Sequence, residues 1–222
     1  MTHFWIALLL TSGVPLLAAV KEPEPVQIKT ADGKTITAKL YGESKTALIL
    51  CHGRNYRNGG ESFTEQCRHF EQKGVACLAI DFRGYPAESL PDVTGKEQDV
   101  IAAFDFLVQR GAERICVLGS SMGGFALLDA LAVLQTKRQL SGVILLSAYH
   151  PAACRGARCR KLFIVAETDA GFYDGVRATY ESAVEPKRLL KFPDGGHGQS
   201  LFRSRRDEML NAISEFVEAG PK

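Results

Sequence analysis

The chain has 222 residues, 45% of them hydrophobic and 23% charged, enough apolar material for one well-packed globular domain. A formal net charge of +2, with no long basic run, excludes a nucleic-acid binder held by bulk electrostatics. Internal repeats and low-complexity segments are absent from the sequence.

At the N-terminus, residues 4–10 form a continuous apolar run. A second apolar patch covers 16–20, and charge begins abruptly at Lys21-Glu22. Residues 1–20 therefore read as a secretory signal peptide, too interrupted for a comfortable membrane span. The expected location is the periplasm or the exterior. Retention of the segment as an uncleaved anchor is the variant in which the protein would contact a membrane. Residues 21–25, with Glu22-Pro23-Glu24-Pro25, read as a polar linker, and 26–222 as the folded domain.

The domain opens with two alternating segments, 26–30 and 35–41, around Asp32-Gly33. This is the pattern of an antiparallel hairpin at a sheet edge. The pattern then changes to strand–helix alternation. Residues 47–51 are a fully apolar strand; Phe63, Cys67 and Phe70 mark a helix that Gly74 ends; 75–80 form the next strand. A loop spans 81–95, after which Thr94-x-x-Glu97 reads as a capping box for a helix with Val100, Ile101, Phe104, Leu107 and Val108 on its core face. Residues 115–118 are another strand, followed by a helix from Met122 to about Gln135 that is apolar around most of its circumference. Strands at 143–146, 162–165 and 189–192 follow, with helices marked by Phe172, Val176, Tyr180 and Val184 and by Met209, Leu210, Ile213, Phe216 and Val217. The expected fold class is α/β: a mostly parallel central sheet with an N-terminal antiparallel hairpin and helices on both faces.

In such sheets the ligand site lies beyond the carboxyl ends of the strands, and the chemistry-bearing residues fall there. Gly119-x-Ser121-x-Gly123, between an apolar strand and an apolar helix, has the spacing of a nucleophile elbow. A serine hydroxyl needs a base to take its proton, and an imidazole base needs a carboxylate to fix its tautomer. His197, in the loop Pro193-Asp194-Gly195-Gly196-His197-Gly198, and Asp169, directly after an apolar strand, supply these in the order Ser121, Asp169, His197. Asp174, Asp194 and Glu167 are the competing carboxylates.

His52-Gly53 after the third strand, Asp81-Phe82-Arg83-Gly84 after the fourth, the Ser121 elbow after the fifth, Thr168-Asp169 and Gly195-Gly196-His197-Gly198 recur together in one order. On these motifs the sequence resembles the serine hydrolases of the α/β-hydrolase superfamily, most nearly the compact dienelactone-hydrolase-like members, over about residues 26–218. The resemblance implies a Ser121–Asp169–His197 catalytic triad and an oxyanion hole made of backbone N–H groups. One is that of Met122, and the other is that of Arg54 or its neighbour Asn55. It implies hydrolysis of an ester-type acyl bond of a small molecule through an acyl-enzyme, with no cofactor and no metal. Carboxylic ester is the default substrate class, with thioester or peptide behind it; an acyltransferase on the same scaffold and a catalytically silent binding protein are the alternatives. His52, Asp81 and Arg83 read as braces for their loops.

Only 15 residues separate Leu146 from Leu162, too few for a cap domain, so an open site is expected. That segment carries His150, Arg155, Arg158, Arg160 and Lys161. With Arg54, Arg57, Arg203, Arg205 and Arg206 these read either as a solvated surface or as a basic rim, and a rim would favour an anionic substrate by steering. Among six cysteines, Cys51, Cys77 and Cys116 fall in central strands and Cys67 on an apolar helix face. Cys154 and Cys159 share a short charged loop and are the pair expected to form a disulfide in an oxidising compartment.

Overall fold

Along β5 (Arg114–Ser120), Ile115 and Val117 point into one apolar cluster while Cys116 and Leu118 point into another. This two-residue period marks a strand covered on both faces. The computed structural model describes residues 21–54, 59–85 and 94–220. Within them, eight strands form one sheet in the order β1-β2-β4-β3-β5-β6-β7-β8. The expected hairpin forms as β1 (Glu24–Lys29) and β2 (Thr35–Tyr41), and β2 continues antiparallel onto β4 (Ala76–Ile80). Strands β3 (Thr46–Cys51), β4, β5, β6 (Leu140–Leu146), β7 (Arg160–Ala166) and β8 (Lys187–Phe192) are all parallel.

Strand β1 starts inside the segment read as a linker. Its Pro25 is tolerated because an edge strand does not need every backbone donor. The opposite edge, β8, carries Lys187, Arg188 and Lys191, charges of the kind that discourage edge-to-edge pairing.

Helices cover both faces. On one, α1 (Thr64–Gln72), α6 (Leu201–Ser204) and α7 (Arg206–Glu218) bury Cys67, Phe70, Leu201, Met209 and Ile213. On the other, α2 (Lys96–Gln109), α3 (Met122–Leu134), α4 (Pro151–Arg155) and α5 (Tyr173–Ser182) bury Phe104, Leu127, Leu131, Cys154 and Val176. The expected burial of α3 is observed along almost its whole length.

Three expectations are corrected. The capping box does not form: the residue before α2 is Gly95, in the left-handed region at φ 87, and no side chain caps the helix. A methyl group at Gly95 would come within 2.6 Å of the Arg83 guanidinium, so the helix entry is set by the packing of Arg83. The disulfide does not form either. Cys154 and Cys159 are both free thiols, and Cys154 on α4 is wholly buried in the core, where burial pushes its thiol up to about 11. Finally, α4 itself is a short helix within what read as a loop. His150 caps it, its Nδ1 accepting from the Ala153 N–H at 3.2 Å, and Pro151 occupies the first turn.

Residues 1–20, read from the sequence as a signal peptide, lie outside the described residues, as do Asn55, Arg57 and most of the 81–95 loop. Among the described residues no helix is long and apolar enough to cross a membrane.

Candidate active site

Ser121 sits at the bend between β5 and α3 with φ 49 and ψ −115, a strained conformation for a residue with a Cβ. The flanking glycines are there because neither position has room. A methyl at Gly119 would lie 2.5 Å from the Gly123 carbonyl oxygen, and one at Gly123 would lie 2.4 Å from that of Cys51. Helix α3 thus meets the end of β3 backbone to backbone. Gly123→Ala is expected to overpack this contact and lower stability by about 1–3 kcal/mol. Thermal unfolding checks this, and a wild-type melting temperature would contradict it.

The carboxyl ends of β7 and β8 bring the other two expected residues to Ser121. Nε2 of His197 lies 2.7 Å from Ser121 Oγ, and its Nδ1 lies 3.0 Å from both carboxylate oxygens of Asp169. An ionised carboxylate only accepts, so Nδ1 carries the hydrogen and Nε2 is left to accept from the serine hydroxyl. Asp169 is buried, whereas the His197 side chain is 40% exposed. The carboxylate is therefore shielded while the imidazole stays accessible. The aspartate side chain does not cap α5.

The competing carboxylates are engaged elsewhere or exposed. Glu167 pairs with Lys191 at 2.7 Å, Asp194 pairs with Arg205, and Asp174 lies on the surface in the first turn of α5.

His52 is a brace, as read from its place after β3. Its Nδ1 donates to the Gly53 carbonyl at 2.9 Å and its Nε2 accepts from the Phe82 N–H at 3.3 Å, tying the ends of β3 and β4 together. Burial pushes its pKa down and keeps it neutral. Asp81 accepts from Thr37 Oγ1 and the Gly60 N–H at 2.8 Å each, and Arg83 bridges Asp99 and Asp32. Burial raises the Asp99 pKa, and the Arg83 hydrogen bonds oppose that rise.

A cavity of about 600 Å³ opens over the serine. Its walls are Met122, Phe125, Ala126 and Phe172, and its charged lining is Arg54 and Lys96 against Glu97 and Asp129. The Phe172 ring lies against His197, centroid to centroid 4.2 Å. Met122 begins α3, whose first backbone bond runs from the Phe125 N–H to the Ser121 carbonyl, so the Met122 N–H has no acceptor within the helix.

Among the described residues the basic rim is not assembled. Arg54 is the member of that set which lines the cavity among the described residues. Arg160 instead donates to the carbonyls of Gly220 and Phe216, Lys161 is buried with its ammonium on the carbonyls of Ala157 and Cys159 at 2.6 Å, Arg205 pairs with Asp194, and Arg206 with Glu65. Arg160 and Lys161 thus serve backbone carbonyls, and Arg205 and Arg206 serve carboxylates, rather than the cleft. Between β6 and β7 the chain carries α4 and no further helix, consistent with the expected lack of a cap.

Two polar residues at the site escaped the sequence reading. Gln199 Oε1 accepts from the Gly53 N–H and its Nε2 donates to Ser62 Oγ, both at 2.8 Å, linking the His197 loop to the turn after β3. Ser147, the first residue after β6, donates to Asp169 Oδ2 at 2.6 Å. The strand-end rule points to Ser147, whereas nothing in the sequence singles out Gln199.

The family model described as serine aminopeptidase, S33, matches residues 42–166. Among solved structures, an esterase from Pyrococcus furiosus superposes with a TM-score of 0.76 at 18% identity, over 90% of this chain and 93% of the other. A dienelactone hydrolase from Anabaena variabilis gives 0.76 at 18% identity, over 91% and 100%. An esterase from Exiguobacterium antarcticum gives 0.73 at 16% identity, over 88% and 100%. At these identities the likeness is one of fold, that of the α/β-hydrolases.

Proposed function

The chain belongs to the serine aminopeptidase S33 family of hydrolases, and we propose, from that membership together with its likeness to the esterases and the dienelactone hydrolase, that it hydrolyses small carboxylic esters through an acyl-enzyme on Ser121. The observation that carries this reading is the series Ser121 Oγ, His197 imidazole, Asp169 carboxylate, opening into a cavity with apolar and aromatic walls.

The chemistry follows from the atoms. Ser121 Oγ attacks the ester carbonyl as His197 Nε2 takes its proton, and Asp169 steadies the imidazolium so formed. Negative charge moves to the carbonyl oxygen, where the Met122 N–H at the positive end of α3 and the Arg54 N–H of the turn after β3 are the donors assigned to it. Collapse expels the alcohol, which takes the proton back from His197. Water then enters by the same route in reverse, with His197 as base, and releases the acid. The turn bearing Arg54 is held by the Gln199–Gly53 hydrogen bond, and the close contact of Gly123 with Cys51 keeps that turn beside Met122.

A panel of short-chain p-nitrophenyl esters, with alanine p-nitroanilide as the peptide-like arm, tests the reading on the purified chain. Ester turnover exceeding anilide cleavage is expected. Anilide cleavage without ester turnover would make the protein a peptidase, and turnover of neither would overturn the hydrolase reading.

A further inference from the structure

We propose that Ser147 is a positioning residue of this reaction, acting through Asp169; the proposal rests on the hydrolase reading above. Ser147 is wholly buried at the carboxyl end of β6, between the elbow and the acid. Its hydroxyl makes two bonds with opposite roles. It donates its one proton to Asp169 Oδ2 at 2.6 Å and accepts the Gly198 N–H at 3.0 Å, the amide that follows His197. The acid and the loop bearing the base therefore meet on one oxygen atom.

The geometry of the acid depends on this contact. His197 Nδ1 sits 3.0 Å from each carboxylate oxygen, an arrangement that rotation about the aspartate Cβ–Cγ bond would unbalance. The Ser147 hydroxyl pins one of those oxygens, and a hydrogen bond to a buried carboxylate is among the stronger ones a neutral donor makes.

The backbone supplies an independent sign. Ser147 and Ser121 are the non-glycine residues with positive φ among the described residues, at 50° and 49°. Glycine is the residue of least strain in that region. At Ser121 the strained residue carries the proposed nucleophile, and at Ser147 it carries the hydroxyl that holds the acid. Strain retained at such positions is a feature of functional sites.

Two variants test the role, because one separates the hydroxyl from the backbone. In both Ser147→Ala and Ser147→Gly, kcat on a short acyl ester should fall about tenfold, the order expected from losing a hydrogen bond to a charged group, with KM within about twofold. Ser147→Gly should be at least as thermostable as Ser147→Ala, since it relieves the positive φ. In an Asp169→Ala background, removing the Ser147 hydroxyl should change kcat less than about twofold, because the group it positions is gone. Unchanged kcat in the single variants, a loss confined to KM, or a full tenfold loss persisting in the Asp169→Ala background would each overturn the proposal. A wild-type chain with no turnover at all would instead overturn the hydrolase reading on which it stands.

Discussion

Replacing Ser121 by alanine is expected to lower kcat/KM on a short acyl ester by about 10⁴–10⁶-fold while the chain stays folded. The magnitude follows from the role. With Oγ gone, no acyl-enzyme can form, and His197 has no hydroxyl to deprotonate; the donors and the cavity remain and keep a residual rate. Stability should not fall, since Ser121 Oγ has its bond to His197 on the accessible side of the site, and its φ of 49° is no harder for alanine than for serine. Steady-state kinetics and a thermal melt check both halves. Activity within tenfold of wild type would place the nucleophile elsewhere.

The second large effect is at the acid. Asp169→Asn should lower kcat by about 10⁴-fold, because an amide offers Nδ1 of His197 a donor where a carboxylate offered only acceptors, and the imidazole is then free to adopt the wrong tautomer. The cost is magnified by burial: Asp169 is 5% exposed, so water cannot take over the orienting role. Asp174→Asn, Asp194→Asn and Glu167→Gln serve as controls and should stay within about threefold of wild type, since these carboxylates sit on the surface or pair with Arg205 and Lys191. A variant at Asp169 that keeps kcat within tenfold, or a control that loses as much, would move the acid to another carboxylate.

How far the sequence was legible depends on how local the determining physics is. The order of strands and helices could be read because β3, β5, β6 and β7 each carry a short apolar run of the length and composition expected of a strand covered on both faces. The elbow could be read because the clashes that require Gly119 and Gly123 are set by the bend itself. His197 and Asp169 could be placed beside Ser121 because topology delivers strand ends to one rim, whatever the loops do.

The failures share a different cause. Thr94-x-x-Glu97 is a good local cap pattern, yet the entry to α2 is fixed by Arg83, which pairs across the fold with Asp32 and Asp99. Cys154 and Cys159 are close in sequence, but the Cys154 side chain is committed to the core of α4. Arg160 and Lys161 read as members of a basic rim, and both turn to backbone carbonyls instead. Ser147 stands at a strand end, where the same rule points, but its partner lies 22 residues away; Gln199 takes its place from a partner 146 residues away, and no sequence signal marks it.

The central claim is that Ser121 is the nucleophile of an acyl-enzyme, and covalent trapping tests it most directly. The purified chain should be treated with a fluorophosphonate, its mass measured intact, and the adduct mapped by peptide sequencing. One phosphonyl group per chain is expected, on the peptide containing Ser121, with Ser121→Ala and His197→Ala left unmodified under the same conditions. A folded wild-type chain that takes up no probe, or an adduct mapping to any residue other than Ser121, would contradict the account.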